Sequence, residues 1–109
     1  MAWLLRGGDV LASLDVTSSM FERIRATATL EHADGVLWCE RTRVGHSIGS
    51  RCPLDVAYVD DAYVVLAVTS LQPQRIGRPR AGATAVVEGR AGSFARWNLQ
   101  PGDCLEIRE

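Results

Sequence analysis

Two runs rich in valine and tyrosine, Leu54 to Asp60 and Tyr63 to Thr69, are separated by little more than Asp60-Asp61-Ala62. Residues of that type around so short a link leave the chain little choice but a β-hairpin. A lone hairpin is at best marginally stable in water, so the rest of the chain has to supply more sheet or a covering helix. Strand alternation places Leu54, Val56 and Tyr58 on one face and Asp55, Ala57 and Val59 on the other.

Further strands are legible on both sides. Trp3 to Arg6 and Val10 to Val16 flank Gly7-Gly8-Asp9, which predicts a second hairpin. Ser19 and Glu22 form a capping box, and Phe21, Ile24 and Ala28 follow at helical spacing, so an amphipathic helix is expected over Ser19 to Ala28 with those three facing the core. After the Asp34-Gly35 turn, Val36 to Cys39 reads as a buried strand, and Arg41 and Arg43 return the chain to solvent. Leu71 to Gly82, with its prolines, glycines and arginines, reads as an exposed loop. Thr84 to Glu88 is another strand, Ser93 is positioned to cap a short helix carrying Phe94 and Trp97, and Pro101-Gly102-Asp103 turns the chain into a last strand, Cys104 to Ile107. Strands outnumber helices. The expected class is α+β and β-rich: a small barrel or strongly curved antiparallel or mixed sheet with one or two short helices.

A chain of 109 residues with 47% apolar and 23% charged residues suits one ordered domain over 1–109, able to bury roughly two-thirds of its unfolded surface. The longest apolar runs, such as Tyr63 to Val68, are about a third of the roughly 20 residues of a membrane span, and no signal-peptide pattern opens the sequence. A cytosolic protein without a membrane partner is expected. Cys39, Cys52 and Cys104 are an odd set without a close pair, so no disulfide framework, structural metal or other cofactor is called for. All twelve basic residues are arginines against thirteen acids, for a formal charge of −1. That balance argues against nucleic acid as the partner, and the absence of lysine reads as the codon usage of a GC-rich genome.

From His46 to Asp60 the chain reads H-S-I-G-S-R-C-P-L-D-V-A-Y-V-D, which resembles the signature segment of the bacterial and archaeal family called domain of unknown function 192. Gly82 to Glu88 with Ala91-Gly92 resembles that family's later strand and turn, and Leu99 to Leu105 resembles its closing L-x-P-G-D-x-L. The resemblance runs from about Arg23 to the C-terminus. Ile48 stands where the family carries an aromatic, Ser50 where it carries methionine and Cys52 where it carries a bulky apolar residue, which marks a divergent member. The resemblance implies a compact β-rich fold and brings no established activity.

The signature segment also holds the candidate site. Asp55 opens a strand on a semi-apolar face and needs partners there, because an unpaired carboxylate in low dielectric costs several kcal/mol. His46, Ser47 and Arg51 lie just upstream, and a pocket in which they bind a small polar or anionic ligand while Asp55 orients one of them is the functional reading. The structural reading has Asp55 accepting backbone N–H groups at the turn into the strand. A protein partner on the same patch, or a structural accessory role through exposed strand edges, are further options. A thiol enzyme or small hydrolase pairing Cys39 or Cys52 with His46 is the rival from another class. A zinc site from Cys39, His46 and Cys52 lacks the close ligand pairs such sites use, and His32 reads as a solvated turn residue. Gly77-Arg78-Pro79-Arg80 has the core of a minor-groove arm without its flanks and reads as an arginine-solubilised loop. Trp3, Trp38 and Trp97 each fall in an apolar setting, so core packing is the default, with a tryptophan stacking on a sugar at a pocket mouth as the alternative.

Overall fold

The computed structural model describes residues 2–30 and 34–109 of the chain; the reading of His32 lies outside these. Among the described residues, seven strands and two helices follow one another as β1 Ala2–Arg6, β2 Asp9–Thr17, α1 Met20–Thr27, β3 Val36–Glu40, β4 Leu54–Val59, β5 Val65–Leu71, β6 Ala85–Arg90, α2 Ser93–Arg96 and β7 Leu105–Arg108. All seven strands form one sheet in the order β5-β4-β6-β3-β2-β1-β7. Only β2 and β3 run parallel, joined by a crossover through α1; the other neighbours are antiparallel. The sheet curls into a half-barrel whose two outer strands meet at one end, where Val65 N–H donates to Asp103 C=O and Leu105 N–H to Tyr63 C=O, each at 2.8 Å. The β-rich α+β expectation is met.

Each face of the sheet has its own core. On the concave side Leu4, Val36, Trp38, Ala57, Val59, Val65 and Val87 pack together with Phe94 of α2. On the other side Leu37, Cys39, Leu54, Val56, Tyr58 and Val86 lie under α1 and the long loops after β3 and β5. The split of β4 into Leu54, Val56, Tyr58 against Ala57, Val59 is the predicted alternation. Because β3, β4 and β6 are covered on both faces, their sequences read as near-continuous apolar runs.

Three expectations need correction. Ser19 caps α1 by accepting Glu22 N–H at 3.2 Å, as the capping box requires, but the helix turns a different face inward. Phe21 is 70% exposed, whereas Arg23 and Thr27, one turn apart, are buried. The apolar stripe was too short to fix the rotation, and the polar groups beneath the helix reward Arg23 instead. Trp3 is 39% exposed at the start of β1, although Leu5, two positions on, is buried. Ser93 begins α2 without capping it: the cap position is Gly92, and the acceptor for the first turn comes from Asp55.

Candidate functional site

The four residues singled out in the signature segment go to three different environments. Asp55 Oδ2 accepts Gly92 N–H at 2.9 Å and Phe94 N–H at 3.1 Å, fastening the turn that begins α2 to β4. Its partners lie across the sheet, on β6's exit, because β4 pairs with β6 and Asp55 stands opposite Gly89. Arg51 is exposed and makes no hydrogen bond or ion pair with His46 or Asp55 among the described residues. His46 is 1% exposed and Ser47 0%, both pinned beneath the chain that follows β5. The imidazole, guanidinium and carboxylate are therefore not brought together.

His46 and Ser47 do share one task, the anchoring of a strap over residues 72–80. Ser47 donates its N–H to Arg75 C=O at 2.9 Å, accepts Arg75 N–H on Oγ at 3.0 Å and gives its hydroxyl proton to Gln72 C=O. His46 pairs with Ile76 as an antiparallel bridge, and Gly77 N–H reaches Gly45 C=O at 2.8 Å. Gln74 ties down the turn itself, donating to Ser50 C=O at 2.7 Å and accepting Gly49 N–H at 3.2 Å. Two glycines are required by this stitching. A Cβ on Gly45 would stand 2.6 Å from Val56 Cγ1, and one on Gly77 would stand 2.9 Å from the Tyr58 hydroxyl.

The strap's backbone is thus committed inward while its arginines point to water. Between it and the β4–β5 hairpin lies a groove of about 590 Å³, bordered by Arg75, Ile76, Arg78 and Arg80 and floored by Tyr58, Thr69 and Leu71. Tyr58 donates its hydroxyl proton to Arg78 C=O at 3.2 Å, and the Arg80 guanidinium lies 5.6 Å from the Tyr58 ring centroid. That distance is a cation–π contact, which orients Arg80 along the groove wall. The sequence reading missed this groove because it treated 71–82 as an unstructured connection; the arginine spacing in R-I-G-R-P-R was its only trace.

A second polar group went unread because it is buried. Glu88, on β6, is 0% exposed and accepts His46 N–H at 2.8 Å, with the Cys39 thiol 4.0 Å from its other oxygen. Arg23 reaches in from α1 and donates to Val44 C=O at 2.7 Å and weakly to Thr42 Oγ1 at 3.5 Å. Burial pushes the Glu88 carboxyl up to about 7, against the pull of the His46 N–H, Arg23 and Thr27. Burial pushes His46 down to about 4, helped by Arg23. Its Nδ1 accepts Ile48 N–H at 3.3 Å, so the neutral ring carries its proton on Nε2. Among the described residues, Nε2 of His46, Nε of Arg23 and the hydroxyls of Thr17 and Thr27 find no partner of good hydrogen-bond geometry. A single carboxylate in the apolar run of β6 was the one sequence signal for this cluster.

The thiol reading meets the same burial. Cys39 is 0% exposed, and desolvation together with Glu88 pushes its thiol up to about 11, so it stays protonated at neutral pH. Cys52 is exposed while His46 is buried. Among the described residues no cluster of histidine, cysteine and carboxylate is arranged to hold a metal, and no helix is long and apolar enough to cross a membrane.

Comparison with known proteins agrees with the signature segment. The profile of DUF192, described as an uncharacterised ACR, matches residues 18–107. A search of the curated proteins found no match. Among solved structures, the chain is similar to a proposed transcription regulator from Sinorhizobium meliloti 1021, with a TM-score of 0.79 and 19% identity over 97% of this chain and 91% of that one. It is also similar to a protein of unknown function from Novosphingobium aromaticivorans DSM 12444, with a TM-score of 0.70 and 19% identity over 96% and 82% of the two chains. At such identity the shared property is the fold.

Proposed function

Since the chain belongs to the DUF192 family, in which no activity is established, we propose on physical grounds that it is a non-catalytic module binding a small ligand in the groove between the strap and the β4–β5 hairpin. The observation that carries this reading is the strap's division of labour. Its backbone is hydrogen-bonded to the signature turn at Ser47 and Gly45, and its Gln74 side chain to Ser50 C=O, which pre-forms one wall of the groove, while Arg75, Arg78 and Arg80 remain exposed. Pre-formed concavity with a few polar groups at its edge is what small-ligand sites require, and the groove's volume falls within their usual range. Binding is favoured over catalysis because the groove is lined by arginines, one phenol and one threonine hydroxyl, without a carboxylate, imidazole or thiol to move a proton.

This relocates the ligand from the His46–Arg51–Asp55 patch to the strap that His46 and Ser47 support. A cytosolic setting suits the reading, since Cys39 and Cys104 are free thiols. The test is NMR mapping of a mixed fragment library on the intact chain and on Thr69→Trp, which fills the floor from an exposed edge position. Shifts clustered on 69–80 in the parent and abolished in Thr69→Trp are expected. A library that perturbs only residues outside that range would refute the assignment.

A further inference from the structure

We propose that the groove's ligand carries an oxyanion, a carboxylate, sulfonate or phosphate, on a compact apolar body; this rests on the groove being the binding site. The argument starts from uncompensated charge. Among the described residues, none of Arg75, Arg78 and Arg80 has a carboxylate within 4.0 Å, and none of the residues lining the groove is acidic. Of the other surface arginines, Arg6 meets Asp103 at 3.0 Å, Arg90 meets Asp34 at 3.2 Å and Arg108 meets Glu106 at 2.8 Å, while Arg25, Arg41, Arg43, Arg51 and Arg96 have no carboxylate within 4.0 Å among the described residues; what sets the strap apart is that three such arginines border one groove. Three like charges around one concavity without an acid repel each other, and an anion seated between them relieves that repulsion.

The chemistry of the walls narrows the class. Guanidinium groups present planar pairs of donors that fit two oxygens of one oxyanion, and two such groups can share the anion's charge. Tyr58 has already given its hydroxyl proton to Arg78 C=O, so the phenol offers no donor to the anion and its ring serves as apolar floor. Thr69, exposed on the outer strand β5, supplies a hydroxyl at the far side. Ile76 is 67% exposed beside Leu71, and this apolar surface, flanked by charge, is left for the body of the ligand. A nucleic acid is disfavoured because binding a polyanion needs basic charge spread along a stripe, and the overall balance of charge provides none.

Titration by NMR of the intact chain with benzenesulfonate, which keeps its charge at every working pH, tests the class, with methyl phenyl sulfone as the neutral counterpart. Benzoate and phenyl phosphate run alongside to rank the oxyanions. The expected result is saturable shifts on Thr69, Leu71 and 76–80 with benzenesulfonate, weakening with added salt, about tenfold weaker in the double variant Arg78→Gln, Arg80→Gln, and absent with the sulfone. Both substituted residues are exposed, so the variant folds, as its unchanged amide spectrum outside the strap will report. Equal shifts at the same residues from the sulfone would overturn the oxyanion class while leaving the groove as a binding site. Silence from all four probes would remove both. Tenfold tighter binding of a DNA duplex, with shifts spreading beyond the strap, would overturn the small-ligand assignment in favour of a polyanion.

Discussion

The strap groove and the Glu88 cluster lie on opposite sides of the same signature turn, and the chain treats charge in opposite ways in the two places. In the groove, arginines are held at the surface without acids, where water solvates them and a ligand can reach them. In the cluster, Arg23, Glu88 and His46 are removed from water, and their charges are moderated by one backbone carbonyl, one N–H and shifted protonation. The turn at 45–47 bonds to both: His46 N–H goes to Glu88, while Gly45 C=O and Ser47 hold the strap. Exposed unpaired charge is a resource for recognition. Buried charge is a constraint on the fold.

If that contrast is sound, substitutions in the cluster change stability and those in the groove do not. The largest effect is expected from Arg23→Ala, which takes the charged donor from the Val44 carbonyl, leaving it only the Thr42 hydroxyl at 3.2 Å, and leaves a cavity beneath α1. A buried acceptor without its charged donor, together with lost packing, corresponds to about 3 kcal/mol. Urea unfolding at neutral pH measures it, and a loss well below 1 kcal/mol would mean that α1 is held by something other than its inward arginine.

Next in size is a pH-dependent difference between the parent chain and Glu88→Gln. Folded Glu88 keeps its proton to about pH 7, whereas the ordinary carboxyl releases it near 4.5, so folding takes up a proton in this window and stability falls as pH rises through it. His46 acts in the opposite sense: it stays neutral in the fold down to about 4, while a free imidazole protonates near 6.5, so stability falls as pH drops from 6.5 towards 4. In the parent the two slopes cancel between about 4.5 and 6.5. In Glu88→Gln only the histidine slope remains, and the variant should gain on the parent by on the order of 2–3 kcal/mol as pH rises from 4.5 to 7, then level off. Melting curves across that range decide it; a constant offset would show that Glu88 holds no proton in the folded chain.

The contrast also explains what could be read from residue types and what could not. The hairpins, the α1 cap and the two faces of β4 followed from local chemistry, because turn residues, a capping box and period-two alternation act within a few positions. The rotation of α1 did not follow, since Arg23 faces inward only to meet Val44 and Thr42, which lie beyond an intervening strand. Within the candidate site, His46 and Ser47 were legible as important but not for what they do. Their partners, Glu88, Arg75 and Ile76, are supplied by the sheet order that brings β6 beside β4 and by the strap's return over the turn. Asp55 was legible as an acceptor of backbone N–H groups, while Gly92 and Phe94 as its donors again required the β4–β6 pairing.

Asp55 belongs to neither region, and so calibrates both. Asp55→Ala removes the acceptor for two backbone donors at the start of α2 and should cost about 1–2 kcal/mol, with part restored by Asp55→Asn. The amides of Gly92 and Phe94 should lose hydrogen-exchange protection in the alanine variant while 72–80 keeps its own. Loss of protection in the strap would instead join Asp55 to the ligand groove.

The smallest stability effect is expected where the proposed binding effect is greatest. Arg80→Gln removes a charge whose guanidinium is exposed, touches no carboxylate among the described residues and rests only on the face of Tyr58. A surface cation–π contact contributes about 0.5–1 kcal/mol, and relief of repulsion from Arg75 and Arg78 offsets part of it, so the melting temperature should move by no more than a few degrees. The same substitution should raise the salt-sensitive Kd for benzenesulfonate about threefold. Were Arg80→Gln to destabilise the chain as much as Arg23→Ala, Arg80 would be a structural clamp on Tyr58, and the division between a rigid charged interior and a free charged surface would fail at the strap itself.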